Sequence, residues 1–327
     1  MKARQVCPAV LSVAVLMTVV CVHAAPAAAS AEGTFQRTLK VTGQASIDLS
    51  TGSGNVQVRT GGAGEVQITG HVRVSSWTGE AEDRVRRIEQ NPPIEQNGNE
   101  IRIGHNQSSE MFHNVSISYE LVVPAETELR SHTGSGNQRI EGVRGALEIE
   151  AGSGELRISD AGSTVHADTG SGNIDLDHIN GNVRAKAGSG SIHAEGVAGG
   201  FEAHTGSGHI VLEQTAPGAV RAGTGSGGME LRGVHGSLEA TAGSGDVMAE
   251  GSPTGAWTLH TGSGGVHLKL TSDAAFDLDA HTSSGNISVA QPVTVQGTIG
   301  RKDLHGKVRG GGVPVEVETG SGNIEIQ

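Results

Sequence analysis

The tripeptide Gly-Ser-Gly recurs along most of this chain at an almost constant interval. From Gly134 it returns at steps of 18 or 19 residues as far as Gly262; the variant Ser283-Ser284-Gly285 follows 21 residues later, and Gly320 begins the last unit after a further 37. A fixed period of this length indicates a repeat architecture, in which each unit stacks on its neighbours. Because the last step equals two ordinary intervals, we expect one unit without the tripeptide after residue 285. The tripeptides begin at Gly52, Gly134, Gly152, Gly170, Gly188, Gly206, Gly225, Gly243, Gly262 and Gly320.

Aligning the units on the tripeptide reveals a strict alternation of apolar and polar residues. The positions four and six residues after its first glycine are apolar, with Gln138 as the exception, and so is the position five residues before it. Alternation with a period of two predicts two short strands per unit, with apolar side chains inward, and the glycines supply sharp corners. The fold class is therefore all-β: a β-solenoid, or β-helix, of coils of about 18 residues, stacked at roughly 4.8 Å.

Composition agrees with a narrow solenoid interior. The 327 residues include 51 glycines, 4 Phe, 2 Trp and 1 Tyr. Aromatic rings dominate the burial in ordinary globular cores, so their scarcity argues against an enzyme with one thick core. Nine prolines and no Gly-X-Y period exclude collagen.

The period is interrupted between Gly54 and Gly134, where the sequence predicts a small α+β insertion. Glu80 to Gln90 has the pattern of a short helix, and Asn97-Gly98 is a strong hairpin signal. Residues 115–123 alternate as a longer strand. We divide the chain into a signal peptide (1–31), an N-terminal β unit with helix and hairpin that caps the rod (32–130), and the solenoid repeats (131–327). A binding role for the insertion is the alternative to a cap.

Residues 1–31 have the pattern of a secretory signal peptide. Lys2 and Arg4 precede an apolar run, and Ala29-Ser30-Ala31 fits a cleavage site, with Ala24 as an earlier alternative. An uncleaved membrane anchor is the competing interpretation. The signal predicts export to the periplasm or the cell surface, and does not distinguish between them. Both cysteines of the chain lie in this segment, so we expect no disulfide in the exported protein.

Net charge argues against a nucleic-acid partner. Removal of the signal peptide leaves 21 basic against 35 acidic side chains. Proteins that bind nucleic acid normally carry the opposite balance, because phosphate contacts are made by Lys and Arg.

Two longer blocks and the repeated Thr-Gly-Ser-Gly-Asn-Ile-x-Leu unit resemble the bacterial family DUF4097, called "putative adhesin". The blocks are Ile88-Glu-Gln-Asn-Pro-Pro-Ile-Glu-Gln-Asn-Gly-Asn-Glu-Ile-Arg-Ile and Val115-Ser-Ile-Ser-Tyr-Glu-Leu-Val-Val-Pro124. The resemblance extends over roughly residues 34 to 327. It implies a β-solenoid that is often exported, and it supplies no catalytic residues.

The sharpest local anomaly is a basic cluster in this acidic chain. Arg301, Lys302, Lys307 and Arg309, with His305 between them, precede three glycines where the tripeptide is missing. These four Arg and Lys side chains are our candidate site for an anionic envelope polymer; a solvated loop is the alternative.

Other site chemistries have weaker support. His260 and His281 share the place two residues before the tripeptide, on coils that the sequence makes adjacent, so they could hold a transition metal, although solvated histidines are the simpler interpretation. Calcium binding of the β-roll type needs a regular Asp, and that slot varies. Asp168, Asp175 and Asp177 cluster near one coil, but comparable acids occur on many coils. We therefore predict no catalytic residues, no cofactor and no metal.

These observations predict a non-enzymatic, exported β-solenoid that acts as an adhesin-like binding or structural module at the cell envelope, with an envelope glycan or protein as partner. Because the sequence ends at Gln327 directly after a predicted strand, end-to-end self-association into a scaffold is an alternative. A polysaccharide-active β-helix enzyme is the third.

Overall fold

A computed structural model describes residues 29–76, 80–105, 112–295 and 300–327. The predicted signal peptide up to residue 28, including both cysteines, lies outside these residues. The described residues form β-strands and one short helix, α1 (Ala81–Gln90). The predicted all-β solenoid is confirmed.

The N-terminal strands are β1 (Ala29–Lys40), β2 (Ser46–Ser53), β3 (Val56–Thr60), β4 (Glu65–Ser76), β5 (Ile94–Asn97), β6 (Glu100–Ile103) and β7 (Val115–Val123). The strands of the regular repeats are β8 (Glu128–Ser135), β9 (Gln138–Glu141), β10 (Leu147–Ser153), β11 (Leu156–Ala161), β12 (Val165–Thr169), β13 (Ile174–Ile179), β14 (Val183–Ala187), β15 (Ile192–Val197), β16 (Phe201–Thr205), β17 (Ile210–Gln214), β18 (Val220–Ser226), β19 (Met229–Ser244), β20 (Val247–Ser263) and β21 (Val266–Leu270). The C-terminal strands are β22 (Phe276–Ser284), β23 (Ile287–Val289), β24 (Val293–Val295), β25 (Asp303–Val308), β26 (Val313–Ser321) and β27 (Ile324–Ile326).

Each coil places one strand on either side of a Gly-Ser-Gly corner. We call the strands before the corner side A and those after it side B. On both sides, successive coils pair in parallel and in register, so that Leu147 lies opposite Val165 on side A and Leu156 opposite Ile174 on side B. A second corner connects side B of one coil to side A of the next. The long strands β19 and β20 continue through this corner, so their first halves lie on side B and their second halves on side A.

The corners explain why the tripeptide is conserved from coil to coil along this chain. A Cβ atom on Gly172 would overlap the carbonyl oxygen of Gly154 on the preceding coil. The final glycine of each other tripeptide likewise faces a backbone carbonyl oxygen of an adjacent strand. The residue before the tripeptide closes the corner from inside: the buried Thr205 hydroxyl donates to the carbonyl oxygen of Gly190 at 2.7 Å. Glycine is required here because neighbouring backbones touch.

The interior consists of stacked columns of apolar side chains from the two sides. Phe201 and Trp257 occupy the position five residues before the tripeptide and are buried, as the alignment predicts. The Trp257 indole donates to the carbonyl oxygen of Gly236 at 3.0 Å. Gln138, the polar exception, accepts from the Ser131 hydroxyl at 2.5 Å and donates to the Glu150 carbonyl oxygen at 2.6 Å. Its polar atoms are thus satisfied inside the core.

The N-terminal segment continues both sides of the stack beyond the first coil. On side B, β7 pairs with β3 in parallel, and β4 and β1 follow it antiparallel; on side A, β6 pairs with β2 and β5 forms the predicted hairpin with β6. The helix lies where it was predicted and buries Ala81, Val85 and Ile88. Because β1 begins at Ala29, cleavage after Ala31 would shorten this strand, whereas cleavage at Ala24 would leave it whole.

The first coil, β2–β3, lies in the main stack although the helix and hairpin separate it in sequence. It pairs in register with β8–β9, which belong to the coil of Gly134. Phe35 and Tyr119 meet edge to face at 6.3 Å beside Gly70, whose missing side chain makes room for the Phe35 ring. The N-terminal strands and the first coil are therefore joined by continuous hydrogen bonding and by packing.

The C-terminal end departs from chain order. Strands β26 and β27 lie between coil β20–β21 and coil β22–β23: β26 pairs with β20 and β22, and β27 with β21 and β23. The coil without a tripeptide that the 37-residue step predicted is absent among the described residues, so that prediction was wrong. The chain instead forms β24 and β25, which run antiparallel beside β22.

The 21-residue step before β22 gives the physical reason for this insertion. It is three residues longer than the common step of 18. An extended residue spans roughly 3.3 Å and adjacent strands lie roughly 4.8 Å apart, so the extra residues let the chain rise by two strand spacings and leave room for one coil. The strand ending near Gln327 is consequently paired on both sides, and Gln327 itself exchanges backbone hydrogen bonds with Leu268 and Leu270 at 2.9 Å. It is not the open edge that the sequence suggested.

Candidate functional site

The outer surface of side A carries two parallel columns of polar side chains, one residue per coil. The first column lies four residues before the tripeptide, and the second lies two residues before it. Between Asp48 and Glu239 the first column alternates in charge from coil to coil, except at His166. Three neighbouring pairs there form ion pairs: Arg130–Glu148 at 2.8 Å, Arg184–Glu202 at 2.7 Å and Arg221–Glu239 at 3.3 Å. In order along the stack, its members are Asp48, Arg130, Glu148, His166, Arg184, Glu202, Arg221, Glu239, Thr258, Glu316 and Asp279; the last two are acids on adjacent coils.

In-register stacking explains this alternation. Equivalent side chains of adjacent coils stand directly opposite each other, where like charges destabilise a pair and opposite charges favour it. Exposed pairs of this kind contribute only about 0–1 kcal/mol each. Their main effect is to line the face with paired, ordered charges. Glu202 illustrates it: the hydrogen bond from the Arg184 guanidinium, reinforced by the charges of Arg184, His204 and Arg221, holds the pKa of its carboxyl below the ordinary value.

The second column is broken at Gly223, and a groove opens there. In the neighbouring coils this position holds Lys186, His204 and Thr241. A Cβ atom on Gly223 would lie 2.6 Å from Nδ1 of His204, so the glycine lets the histidine ring lie across the gap. The groove has a volume of about 710 Å³. Its lining includes Glu202, His204, Arg221, Gly223, Glu239 and Thr241.

The groove presents hydrogen-bond donors and acceptors at the regular spacing of the coils. The Arg221 guanidinium and the Thr241 hydroxyl can donate, whereas the carboxylates of Glu202 and Glu239 accept. Its volume lies within the range of roughly 300–1,000 Å³ that is typical of small-ligand sites. Such mixed polarity suits hydroxyl groups better than a purely anionic ligand. The sequence contains a signal for this groove, because Gly223 is the one glycine among the residues that lie two positions before the tripeptides. No prediction was based on this signal.

The predicted basic cluster is placed on and beside β25, where the acids of β22 face it. Lys307 lies 3.8 Å from Oδ1 of Asp277, and His305 lies 2.9 Å from Oδ1 of Asp279. The Lys302 ammonium donates to the carbonyl oxygen of Ser283 at 2.7 Å.

Antiparallel pairing of β25 with β22 thus partly neutralises the candidate anionic-polymer site. Arg301 lies before β25 and Arg309 lies after it. These two candidate residues therefore flank the strand and are not part of it. Sequence reasoning missed the acids because the pairing partner of this segment was unknown.

The histidines proposed for a metal are separated by the inserted coil. His260 faces Glu318 at 3.4 Å on one side, and His281 lies on the coil beyond, paired with Asp303 at 2.6 Å. The two coils are therefore not adjacent, contrary to the expectation from sequence order. Within the described residues, no group of three or more His, Asp or Glu side chains is arranged to hold a metal ion.

On several coils, the side chain that follows the tripeptide accepts a backbone hydrogen bond from the next coil. Asn137 accepts the backbone N–H of Glu155 at 2.9 Å, and Asn173 that of Ser191 at 3.0 Å. Ser191 and His209 continue the series by accepting from the next coils at 3.2 and 3.0 Å. Asn, Ser and His thus bond successive coils in the same way, although the Asn residues alone are discontinuous.

Comparison with known protein families identifies a family for this chain. The family model of Toastrack DUF4097 matches residues 162–327, slightly more than half of the chain. The chain belongs to the Toastrack DUF4097 family. The matched region of this Toastrack protein begins just before β12 and includes the Gly223 groove and the inserted C-terminal coil. It leaves out the two N-terminal blocks that contributed to the resemblance seen in the sequence. No curated protein matches the chain significantly.

Three solved structures are similar to the Toastrack chain at low sequence identity. A protein from Bacteroides fragilis described as a "putative adhesin" is 13% identical, with a TM-score of 0.33, and the match covers 90% of this chain and 97% of the other. A "putative cell adhesion protein" from Clostridium sporogenes is 12% identical, with a TM-score of 0.22 and coverage of 90% and 99%. A "putative lipid binding protein" from Parabacteroides distasonis is 11% identical, with a TM-score of 0.41 and coverage of 90% and 97%.

Proposed function

We propose that this protein is an exported, non-enzymatic binding module of the cell envelope, and that its groove at Gly223 holds a hydroxyl-rich glycan. The observation that carries the proposal is the groove at Gly223, where the second column has no side chain between His204 and Thr241. A ligand can enter the groove here, beside the exposed Arg221–Glu239 pair.

The solenoid provides a rigid support for such a site. Side chains that contact the ligand come from three successive coils, whose strands are paired in register by backbone hydrogen bonds. Sites built on strands hold their groups more accurately than sites on loops. Binding would therefore require little rearrangement of the protein, which favours affinity.

The charge state of Glu202 favours binding over hydrolysis at this carboxyl. Glycoside hydrolysis needs a carboxylic acid whose pKa is raised, so that it can protonate the leaving group. Arg184 shifts the pKa of Glu202 in the opposite direction and keeps this carboxyl ionised. A permanently charged acceptor can hold a hydroxyl group, but it is a poor general acid.

Export remains part of the proposal and is supported by the sequence pattern of residues 1–31. Among the described residues, no helix has the length and hydropathy needed to cross a membrane. Fractionation of cells that produce the full chain, compared with cells that produce a chain without residues 1–31, tests this part. Retention of both proteins in the cytoplasm would contradict export.

A glycan array followed by calorimetry tests the groove. The purified chain is expected to bind a subset of envelope glycans, and Gly223→Thr should weaken binding at least about tenfold, because the new side chain fills the gap. Ser50→Thr, which adds a methyl group in the same column at the far end of side A, is the matched control and should bind normally. Equal affinities for the protein with and without Gly223→Thr would refute the assignment of the groove.

A further inference from the structure

Within residues 29–76, 80–105, 112–295 and 300–327, no strand covers the interior of the last coil at the C-terminal end of the solenoid. Ile287 and Val289 on β23, and Val293 and Val295 on β24, are half-buried. Their counterparts on the inserted strand β27, Ile324 and Ile326, are completely buried. Four inward-pointing aliphatic side chains at one end of a solenoid indicate an unfilled contact, since solenoids normally cover their terminal coils.

The same end is stepped. On side A, β25 and then β24 extend two strands beyond the last complete coil, β22–β23. On side B the stack stops at β23, which pairs with β27 and, among the described strands, with no other. Side A thus projects beyond side B by two strand spacings, or roughly 10 Å.

We propose that this stepped end interlocks with the same end of a second copy, to form a closed head-to-head dimer. A two-fold axis parallel to the strands would place the projecting β24–β25 of each copy against the recessed β23 of the other. Each side would then have two strands between the last complete coils of the two copies, so both ladders would continue without a gap.

Strand direction agrees with this arrangement. In a coil that reverses at its corners, the strands of side A and side B run in opposite directions. Rotation about a two-fold axis parallel to the strands leaves the direction of each strand unchanged, but it brings side A of one copy above side B of the other. Strand β23 would therefore lie antiparallel to the partner's β24. Antiparallel pairs form well-aligned hydrogen bonds and need no connecting segment.

The sequences of the two edges permit this pairing. Strand β23 reads Ile-Ser-Val and β24 reads Val-Thr-Val, so both present an outward hydroxyl side chain between two inward aliphatic ones. Neither edge carries a charged side chain, although charges on edge strands are the usual protection against association. Pairing the strand centres places Ser288 opposite the partner's Thr294 and covers the four aliphatic side chains in both copies.

The proposed contact is isologous, and therefore closes at two copies. The opposite end of the solenoid differs, because β4, β1 and helix α1 extend side B there while β6 and β5 extend side A. Because only one end of the solenoid takes part and the contact closes at two copies, the proposed dimer differs from the end-to-end filament suggested by the sequence.

Sedimentation velocity of the full chain over a range of micromolar concentrations tests the dimer. The unaltered chain should sediment with twice the monomer mass, and Ser288→Glu combined with Thr294→Glu should sediment as a monomer, since like charges would face each other at both edges. Ser288→Lys combined with Thr294→Glu should restore the dimer, because each pair would then be opposite in charge.

Two controls separate the dimer contact from effects on folding. Met248→Glu, on an exposed side chain in the same outward column of side B, should leave the dimer intact. Circular dichroism should show the same strand content for all variants. A monomeric unaltered chain, long filaments, or an unaffected dimer in the doubly acidic variant would each overturn the proposal.

Discussion

Replacing Thr205 by Val should destabilise the solenoid through a single lost hydrogen bond. The Thr205 hydroxyl is buried and donates to the carbonyl oxygen of buried Gly190 at 2.7 Å. Valine has nearly the same shape but cannot donate, so this carbonyl would lose its partner at the corner. Leaving a buried acceptor unsatisfied costs about 1–3 kcal/mol of unfolding free energy.

The chain offers a reciprocal variant for the same interaction. Ala187 occupies the equivalent place on the preceding coil, between Thr169 and Thr205. Adjacent coils accept threonine at this place, since Thr205 and Thr224 face each other. Ala187→Thr should therefore add a hydroxyl that can donate to the Gly172 carbonyl oxygen, and should stabilise the protein by about 1 kcal/mol.

Urea unfolding followed by far-ultraviolet circular dichroism measures both effects. The midpoint should fall for Thr205→Val and rise for Ala187→Thr, with similar slopes, because the surface exposed on unfolding is unchanged. Thermal midpoints should move in the same directions. If Thr205→Val leaves the midpoint unchanged, the corner hydroxyl does not stabilise the stack as the geometry implies.

Three further predictions concern the corner, the charged face and the inserted coil. Gly172→Ala should prevent the native stack from forming, whereas Gly62→Ala, where a new methyl group would meet no atom within 4 Å, should be nearly neutral in the same urea assay. In a nuclear magnetic resonance pH series, the pKa of the Glu202 carboxyl should lie below its ordinary range and should return toward that range in Arg184→Gln. A lowered pKa in the folded state stabilises the protein at pH values above the pKa of the unfolded state. The stabilisation by Glu202 should therefore be lost as the pH falls through the pKa of the folded state. Deleting residues 313–327 should lower the thermal midpoint, since four strands lose a partner; an unchanged midpoint would contradict the observed insertion.

The candidate groove shows where sequence reasoning stopped. A column of residues compared along one chain does not reveal an opening between neighbouring side chains. The groove arises because Gly223 lies between larger side chains of adjacent coils and because the Arg221–Glu239 pair borders it. For the basic cluster, the residue types were visible in the sequence but their partners were not, because the facing Asp277 and Asp279 are identified only by the strand pairing.

The sequence by itself determined the coil: its length, its two strands, its inward columns and its glycine corners. These properties are local, because alternation with a period of two and backbone contact at the corner are repeated in each unit. The tertiary structure alone decided the order of the coils. Since every unit presents the same corner and the same apolar columns, any two could stack, and the tripeptide does not specify which neighbours do. The longer step before β22 opened a space, and the unit at Gly320 filled it because it buries both of its edges there.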